Sequence, residues 1–544
     1  TSHPPTNDLI TSVTAGTVVL TVKSAGDTNY YPASATQTIQ IFQAPGAVSA
    51  GMKLWLRADI GLTPTTGNVS RWDDQSQNIT LNANQAAPPA GASTDIIVTP
   101  TGLNFNPVLT FSGASSKELR GVGDFSITGG ASNTIIGVAK VVASADFGAV
   151  LASNNSYSAG SPAGPGLDIT ASSIALDGNG CPAASQSYNT APAIVAGQYT
   201  NISNLAGNTY LNGFLTTTSG ASCNVVSNAS NFEIGGRTTG SFFNRIIKGD
   251  IAEVIYYNRG ISAQELTQAQ SYLAVKYGIH LNPAAVPNYL ASDGTIIWSG
   301  GTNTGYTNTV MGIGRDDNSG LNQKQTTSAA AVDILTLGIG AITISNIANT
   351  SSFGADKSFL MVGNNAITAT GSVATGAATN TDLPTAPGTT PNFMRMRLTR
   401  VWKNQLTGMV GPAILQFNLT GAFSSTLPYT PSDISLLIDR GIGNFASASV
   451  ASGTLTQTAA LVAGTSNTYQ FTGITLNNGD RFTLGLVKKV QNLTFTLPNY
   501  LMPVGQTATI TATLGSLTSA ASVVYSINVG SGSATVNAST GLVT

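Results

Sequence analysis

Acid–base groups are scarce in this chain: only four glutamates, Glu118, Glu233, Glu253 and Glu265, occur, beside twenty aspartates and the two histidines His3 and His280. A retaining glycosidase needs two carboxyl groups about 5–5.5 Å apart across the scissile bond. Four scattered glutamates do not supply that pair, so the expectation is a chain that is not an enzyme. No Gly-x-Ser-x-Gly elbow is present, and a Ser-His-Asp triad would have to recruit His280, which follows a helix and suits a C-terminal cap or the surface. The two cysteines, Cys181 and Cys223, are too few for a zinc site of about four ligands. They read either as one disulfide or as two small buried thiols.

Calcium is the one cofactor the residues could hold, because it asks only for oxygen ligands. Asp59, Asp73 and Asp74 are the candidates, with Asp177 and Asp250 behind them. Adjacent Asp73 and Asp74 would oppose each other on a strand; in a turn they cap backbone amides, which is the favoured reading. "RDDNSG" at Arg315 to Gly320 imitates a calcium loop but lacks its distant Glu. Arg395 and Arg397, on one face of a strand, with Arg400 beyond a register break, could bind an anionic glycan, but the favoured expectation is pairing with acids such as Asp433 and Asp439. For a glycan, the stacking rings would be Trp72 and Tyr157, then Tyr188 and Phe243.

These residues must be positioned by strands. Charged residues are only 9% of the chain, against roughly 25% in ordinary proteins, while hydrophobic residues reach 42% and Gly numbers 59. That is the composition of short strands joined by tight turns. Lys+Arg 23 against Asp+Glu 24 leaves a net charge of −1, so no basic field exists for nucleic acid. At 544 residues the chain exceeds one core of about 250–300 residues. No uncharged apolar run of about 18 residues occurs, and any targeting segment is expected to lie outside the sequence.

Buried-strand text opens at "MKLWLRADIG", and short strands follow through "LNFNPVLTFSG", "TIIGVAKVV" and "GDIAEVIYYNR" at the spacing of a sandwich. One helix is predicted, "SAQELTQAQSYLAVKYG": Ser262 and Glu265 form a capping box, Leu266, Ala269, Leu273 and Tyr277 share a face, and Gly278 supplies the stop. It is expected to close a domain, with a linker at Pro283 to Pro287.

The phrases "LWLRAD", "WDDQS" at Trp72 to Ser76, "NPVLTFSG" and the closing "GDIAEVIYYNRGISAQELTQAQSYLAVKYGI" resemble the laminin-G/concanavalin-A-like jelly-roll modules of large bacterial surface proteins, over residues 46–283. The resemblance implies that the first and closing strands are neighbours, which would make Arg57 and Glu253 a buried or partly buried pair. Residues 284–489, helix-free in sequence, look like the β-rich domain that follows such modules in Bacteroidetes adhesins. Residues 1–45 and 490–544 resemble the C-terminal and N-terminal parts of immunoglobulin-like modules. "Thr540-Gly-Leu-Val-Thr544" repeats the pattern of "Asn7-Asp-Leu-Ile-Thr11", and joining 490–544 to 12–43 gives about one immunoglobulin-like domain.

The fold expectation is therefore all-β: tandem β-sandwich domains, a jelly roll with one closing helix, and partial modules at both ends. The resemblance implies a non-catalytic structural and adhesive segment of a long, repetitive, secreted protein of the bacterial cell surface, exported through the type nine pathway. Its expected partners are neighbouring copies, head to tail in a filament, and surface glycans, with no nucleic acid and no membrane span. The alternative is a carbohydrate-binding module serving a hydrolase elsewhere in the same chain.

Overall fold

The computed structural model describes residues 16–76, 96–113, 118–122, 132–144, 148–154, 163–178, 181–201, 206–217, 231–239, 242–282, 288–330, 333–365, 394–420, 422, 430–441, 445, 459–487, 493–496, 501, 503–514, 523–527 and 532–544. Nearly everything regular in it is β-strand, arranged as two successive sandwiches, with one α-helix among the described residues.

The first sandwich stacks a ten-stranded sheet on a six-stranded one. In the larger sheet the strand Phe242–Tyr257 is central, pairing with Asn133–Ser144, with Asn106–Ser112 and with Met52–Arg57. The smaller sheet runs Cys181–Ser187, Ser173–Gly178, Ala163–Ile169, Gly148–Asn154, Asn231–Ile234, Leu119–Val122. Between them lies a core that includes Leu109, Phe111, Ile135, Val150, Leu167, Leu176, Val254 and Tyr256.

Strand alternation sends every second residue of the larger sheet outward, yet those residues are apolar too: Trp55, Ile136, Val138, Ile255 and Tyr257 are all buried. What covers them is helix α1 (Ala263–Tyr277). Its predicted capping box at Ser262 and Glu265 is formed, and Gly278 ends it in the left-handed conformation at φ 63°. The predicted face of Leu266, Ala269, Leu273 and Tyr277 is buried, but so are Tyr272, Ala274, Val275 and Lys276. A helix buried all round is one covered on both sides.

The second cover is the other sandwich. Tyr289, Trp298, Val310, Leu321, Phe359 and Met361 belong to the same apolar cluster as α1 and the outer face of the first sandwich. The helix expected to close one domain is thus the shared centre of two. The turn at Pro45–Ala47 also lies on it; a Cβ on Gly46 (φ 61°) would sit 2.5 Å from the Gln268 backbone.

The second sandwich has a seven-stranded sheet running Leu321–Gln323, Asn308–Asp316, Ser358–Asn364, Trp402–Thr407, Arg481–Val487, Met394–Arg397, with Ile434–Asp439 also on Arg481–Val487. Its five-stranded partner runs Gln325–Thr327, Leu335–Ile339, Ala413–Asn418, Thr468–Ile474, Ala460–Leu461. Trp402 fills the space between them, stacked on Phe482 at 5.8 Å and edge-on to Phe417 at 5.3 Å. Toward the ends lie a two-stranded ribbon, Gly16–Ser24 with Ala33–Ile41, and two short pairs, Leu493–Thr496 with Thr511–Leu514 and Ala508–Thr509 with Leu542–Val543.

Candidate functional site at the junction of the sandwiches

A bulge sets the chemistry of the junction. Opposite Val138 and Ala139 stand Glu253 and Ile251, so Ala252 is the extra residue. Ile251 stays in the inner core while Ala252 packs toward α1, and Glu253 meets the side chains of that helix. There the fully buried Glu253 accepts from Trp55 Nε1 at 2.6 Å, Lys276 Nζ at 2.8 Å, Tyr277 hydroxyl at 2.8 Å and Tyr272 hydroxyl at 3.4 Å.

Lys276 reaches on to Asp59 at 2.9 Å, and Arg57 closes the chain with a fork onto Asp59 at 2.7 and 3.1 Å. Burial alone would raise the Asp59 carboxyl, but Lys276 and Arg57 outweigh it and hold the group well below its usual range. Burial, then Glu253 and Asp59, push the Tyr277 phenol well up. Arg57 and Glu253 are register neighbours as expected. Their ion pairs differ from the expected one: Glu253 takes Lys276 and Arg57 takes Asp59. Two acids and two bases close on themselves, which is a structural use of charge.

A hairpin tip seals the end of the helix. Asn104 and Phe105 turn it with φ of 47° and 63°. The side chains of Asn104 and Asn106 donate to the Lys276 carbonyl at 3.0 and 2.8 Å, while Asn104 Oδ1 accepts from Thr327 N at 2.7 Å. The Phe105 carbonyl takes Asn346 N at 2.9 Å. A Cβ on Gly278 would meet the Thr327 carbonyl at 2.2 Å, so the stop glycine also lets the second sandwich approach the helix end.

Beside this tip a groove of about 520 Å³ opens between the sandwiches. Its apolar lining includes Ile60, Phe105, Ile344 and Ile347, its polar lining Asn322 and Lys324. Ile344 and Ile347 are 81% and 85% exposed. A second cleft of about 750 Å³ enters the second sandwich among Leu360, Leu406, Met409, Val410, Ile474 and Leu476.

The calcium candidates are not brought together. Asp59 belongs to the quartet, Asp73 pairs with Arg71, and Asp74 accepts from Trp55 N at 2.7 Å, Ser76 N at 2.9 Å and Ser76 Oγ at 2.5 Å, the capping role expected of a turn. Burial, opposed by these bonds, lifts the Asp74 carboxyl to about 6. Asp250 accepts from Thr110 Oγ1 at 2.7 Å. In "RDDNSG", Asp317 is forked by Arg315, and Asp316 binds Ser292. Among the described residues no group of three His, Cys, Asp or Glu could hold a metal ion.

Trp72 requires a correction: it is 3% exposed in the first core and donates Nε1 to the Arg57 carbonyl at 2.8 Å, so neither ring face can receive a sugar. Tyr188 is a core ring too, its hydroxyl bonded to Ala191 and Val141. Tyr157 and Cys223 lie outside the described residues, as do the side chains of Cys181, Asp177 and Phe243, and with them the disulfide. His280 is half-buried just beyond the helix end, and burial pushes its imidazole down to about 4. Arg400, fully buried, has Asp333 at 3.7 Å, while Asp439 has Arg481 at 3.9 Å.

Sequence reading missed Lys276 and the Asn104–Asn106 tip. The signal for the first was a lysine flanked by "YLAV" and "YGI", a charge inside an apolar run. The tip gave none, because its bonds go to residues some 170 to 220 positions away.

Residues 265–480, less than half of the chain, match the family model described as a domain of unknown function, DUF8202. The match begins inside α1 and ends just before the strand Arg481–Val487, so most of the helix and most of the second sandwich fall within one matched segment. No curated protein matches the chain. Among solved structures, Trypanosoma rangeli sialidase in complex with the inhibitor DANA is 14% identical with a TM-score of 0.27, over 41% of this chain and 33% of that one. Domain 4 of AbnA, a GH43 extracellular arabinanase from Geobacillus stearothermophilus, in complex with arabinotriose, is 12% identical with a TM-score of 0.27, over 41% and 98%. The Ruminococcus gnavus IT-sialidase CBM40 bound to α2,3 sialyllactose is 16% identical with a TM-score of 0.23, over 29% and 94%. The chain spans about a third of the length of the sialidase it matches.

Proposed function

We propose that this chain is a non-catalytic structural and adhesive segment of a long, repetitive, secreted bacterial surface protein, its first sandwich a laminin-G/concanavalin-A-like module of the kind Bacteroidetes adhesins carry. The observation that carries the reading is the third core around α1. It joins two sandwiches through one buried helix, which suits a rigid spacer that transmits force and presents a surface at a fixed distance. The glutamates support it as well. All four are in ion pairs: Glu118 and Glu233 with Arg120, Glu253 with Lys276, Glu265 with Arg259. None is available as a free carboxylate facing a sugar.

The adhesive role is assigned to the junction groove, where the half-buried Phe105 ring stands beside Asn322 and Lys324, an apolar platform with polar neighbours of the sort a glycan needs. Calcium has no part in this reading. The test is a glycan array with the full chain, repeated with Phe105→Ala and with Asn322→Ala. Retention lost in both variants supports the assignment. A wild-type chain that retains no glycan, or variants that bind unchanged, would remove the groove from it.

A further inference from the structure

Ile344 and Ile347 stand in water at the junction groove, yet the loop that carries them is firmly tied. Between them, Asn346 N donates to the Phe105 carbonyl at 2.9 Å, its Oδ1 accepts from Lys324 N at 2.7 Å and its Nδ2 donates to the Asn322 carbonyl at 2.9 Å. Before them, Thr343 exchanges two bonds of 2.8 Å with the Gln325 side-chain amide. After them, Asn349 Nδ2 donates to the carbonyls of Ile339 at 3.1 Å and Ala341 at 2.6 Å. The bond from Asn346 also holds Phe105 at φ 63°, a conformation that a bulky residue keeps only where its surroundings impose it. Three apolar side chains are thus fixed along one groove while still wet. A ligand that covers them gains their removal from water and pays little for ordering the loop.

Among the described residues two ionisable groups line the groove, Lys324 and Asp59, and each is already engaged. The Lys324 ammonium donates to the Asn349 carbonyl, and burial pushes its pKa down. Asp59 lies between Lys276 and Arg57. One charge of each sign offers a carboxylate-bearing sugar no net attraction, so charge selects a neutral ligand. The exposed side-chain amide of Asn322 is placed to meet a hydroxyl.

We infer that the groove takes a neutral 6-deoxyhexose, its methyl group packed on Ile344 and Ile347, its ring on Phe105 and a hydroxyl on Asn322; this rests on the glycan reading above. Stacking on Phe105 alone would not tell one sugar from another. The isoleucines do, because they bury a methyl group but give the hydroxymethyl of an ordinary hexose no hydrogen-bond partner. In a closed apolar pocket one added hydroxyl is discriminated by up to about 100-fold, and the open side of this groove sets the expectation at about ten-fold.

The test titrates the full chain with polymer-borne sugars in matched pairs, L-fucose against L-galactose and L-rhamnose against L-mannose, each pair differing only by the hydroxyl at C6. In at least one pair the 6-deoxy sugar should bind about ten-fold more tightly. Ile344→Ser and Ile347→Ser should each bring that ratio toward one without moving Tm, since both side chains are exposed, whereas Phe105→Ala should weaken both members of the pair together. Equal binding within both pairs, a ratio unmoved by the isoleucine variants, or tighter binding of a glucuronate-bearing polymer would overturn the inference. A chain that retains other glycans but neither 6-deoxy sugar overturns this inference alone; a chain that retains no glycan overturns the glycan reading as well.

Discussion

Replacing Lys276 with Met asks whether the buried quartet fixes α1 between the sandwiches. Methionine fills most of the volume of the lysine stem, so charge is removed and packing largely kept. Glu253 then keeps its bonds from Trp55 and Tyr277 but loses its cation at 2.8 Å in a fully buried position. Removing one partner of a buried pair costs about 3–5 kcal/mol, and the surviving donors place this case near 3 kcal/mol. Glu253→Gln is milder, about 1–2 kcal/mol, because the amide still accepts and Lys276 retains Asp59 at 2.9 Å. The double variant leaves no charge stranded and should cost no more than Lys276→Met alone, a coupling of roughly 1–2 kcal/mol. At about 2–4 °C per kcal/mol for a domain of this size, Lys276→Met should lower Tm by roughly 6–12 °C in calorimetry of the full chain. A shift below about 2 °C, or strictly additive single changes, would refute the reasoning.

Leu273→Asp puts an unpaired charge in the core shared by α1 and both sandwiches, and should cost about 3–5 kcal/mol and lower the unfolding of both; an unchanged melting temperature refutes this. Two groups give opposite pH slopes. Asp74, raised to about 6, contributes stability below its unfolded pKa that is lost as pH rises from about 4 to 6; His280, lowered to about 4, costs stability as pH falls from about 6.5 to 4. Each is worth on the order of 3 kcal/mol, so the wild type should be nearly flat across the window. Asp74→Asn should then lose stability as pH falls and His280→Gln as pH rises, both read by denaturant titration, and a flat profile in either variant contradicts the assignment. Incubation of the chain with plant and bacterial polysaccharides should release no reducing sugar above the blank; turnover abolished by changing a pair of aspartates would overturn the non-catalytic reading.

The fold class was legible because strand periodicity and turn chemistry are local. Ser262, Glu265 and Gly278 delimited the helix, since caps satisfy backbone groups within a few residues of themselves. The neighbouring register of Arg57 and Glu253 was expected from the family resemblance rather than from local periodicity, and the two strands do pair. The turn role of Asp74 followed from its sequence neighbours.

What only the tertiary structure decided is who covers whom. The apolar pattern of α1 marks a buried face but not how many partners bury it, and the second sandwich, whose strands begin tens of residues later, turned a closing helix into a shared centre. The partner of Glu253 depended on a one-residue bulge that brings it to α1 and on a lysine 23 positions away. Trp72, a plausible stacking ring by composition, became a core ring because strand pairing turned it inward. Local sequence sets which residues need burial; long-range contacts, which no short window contains, set what buries them.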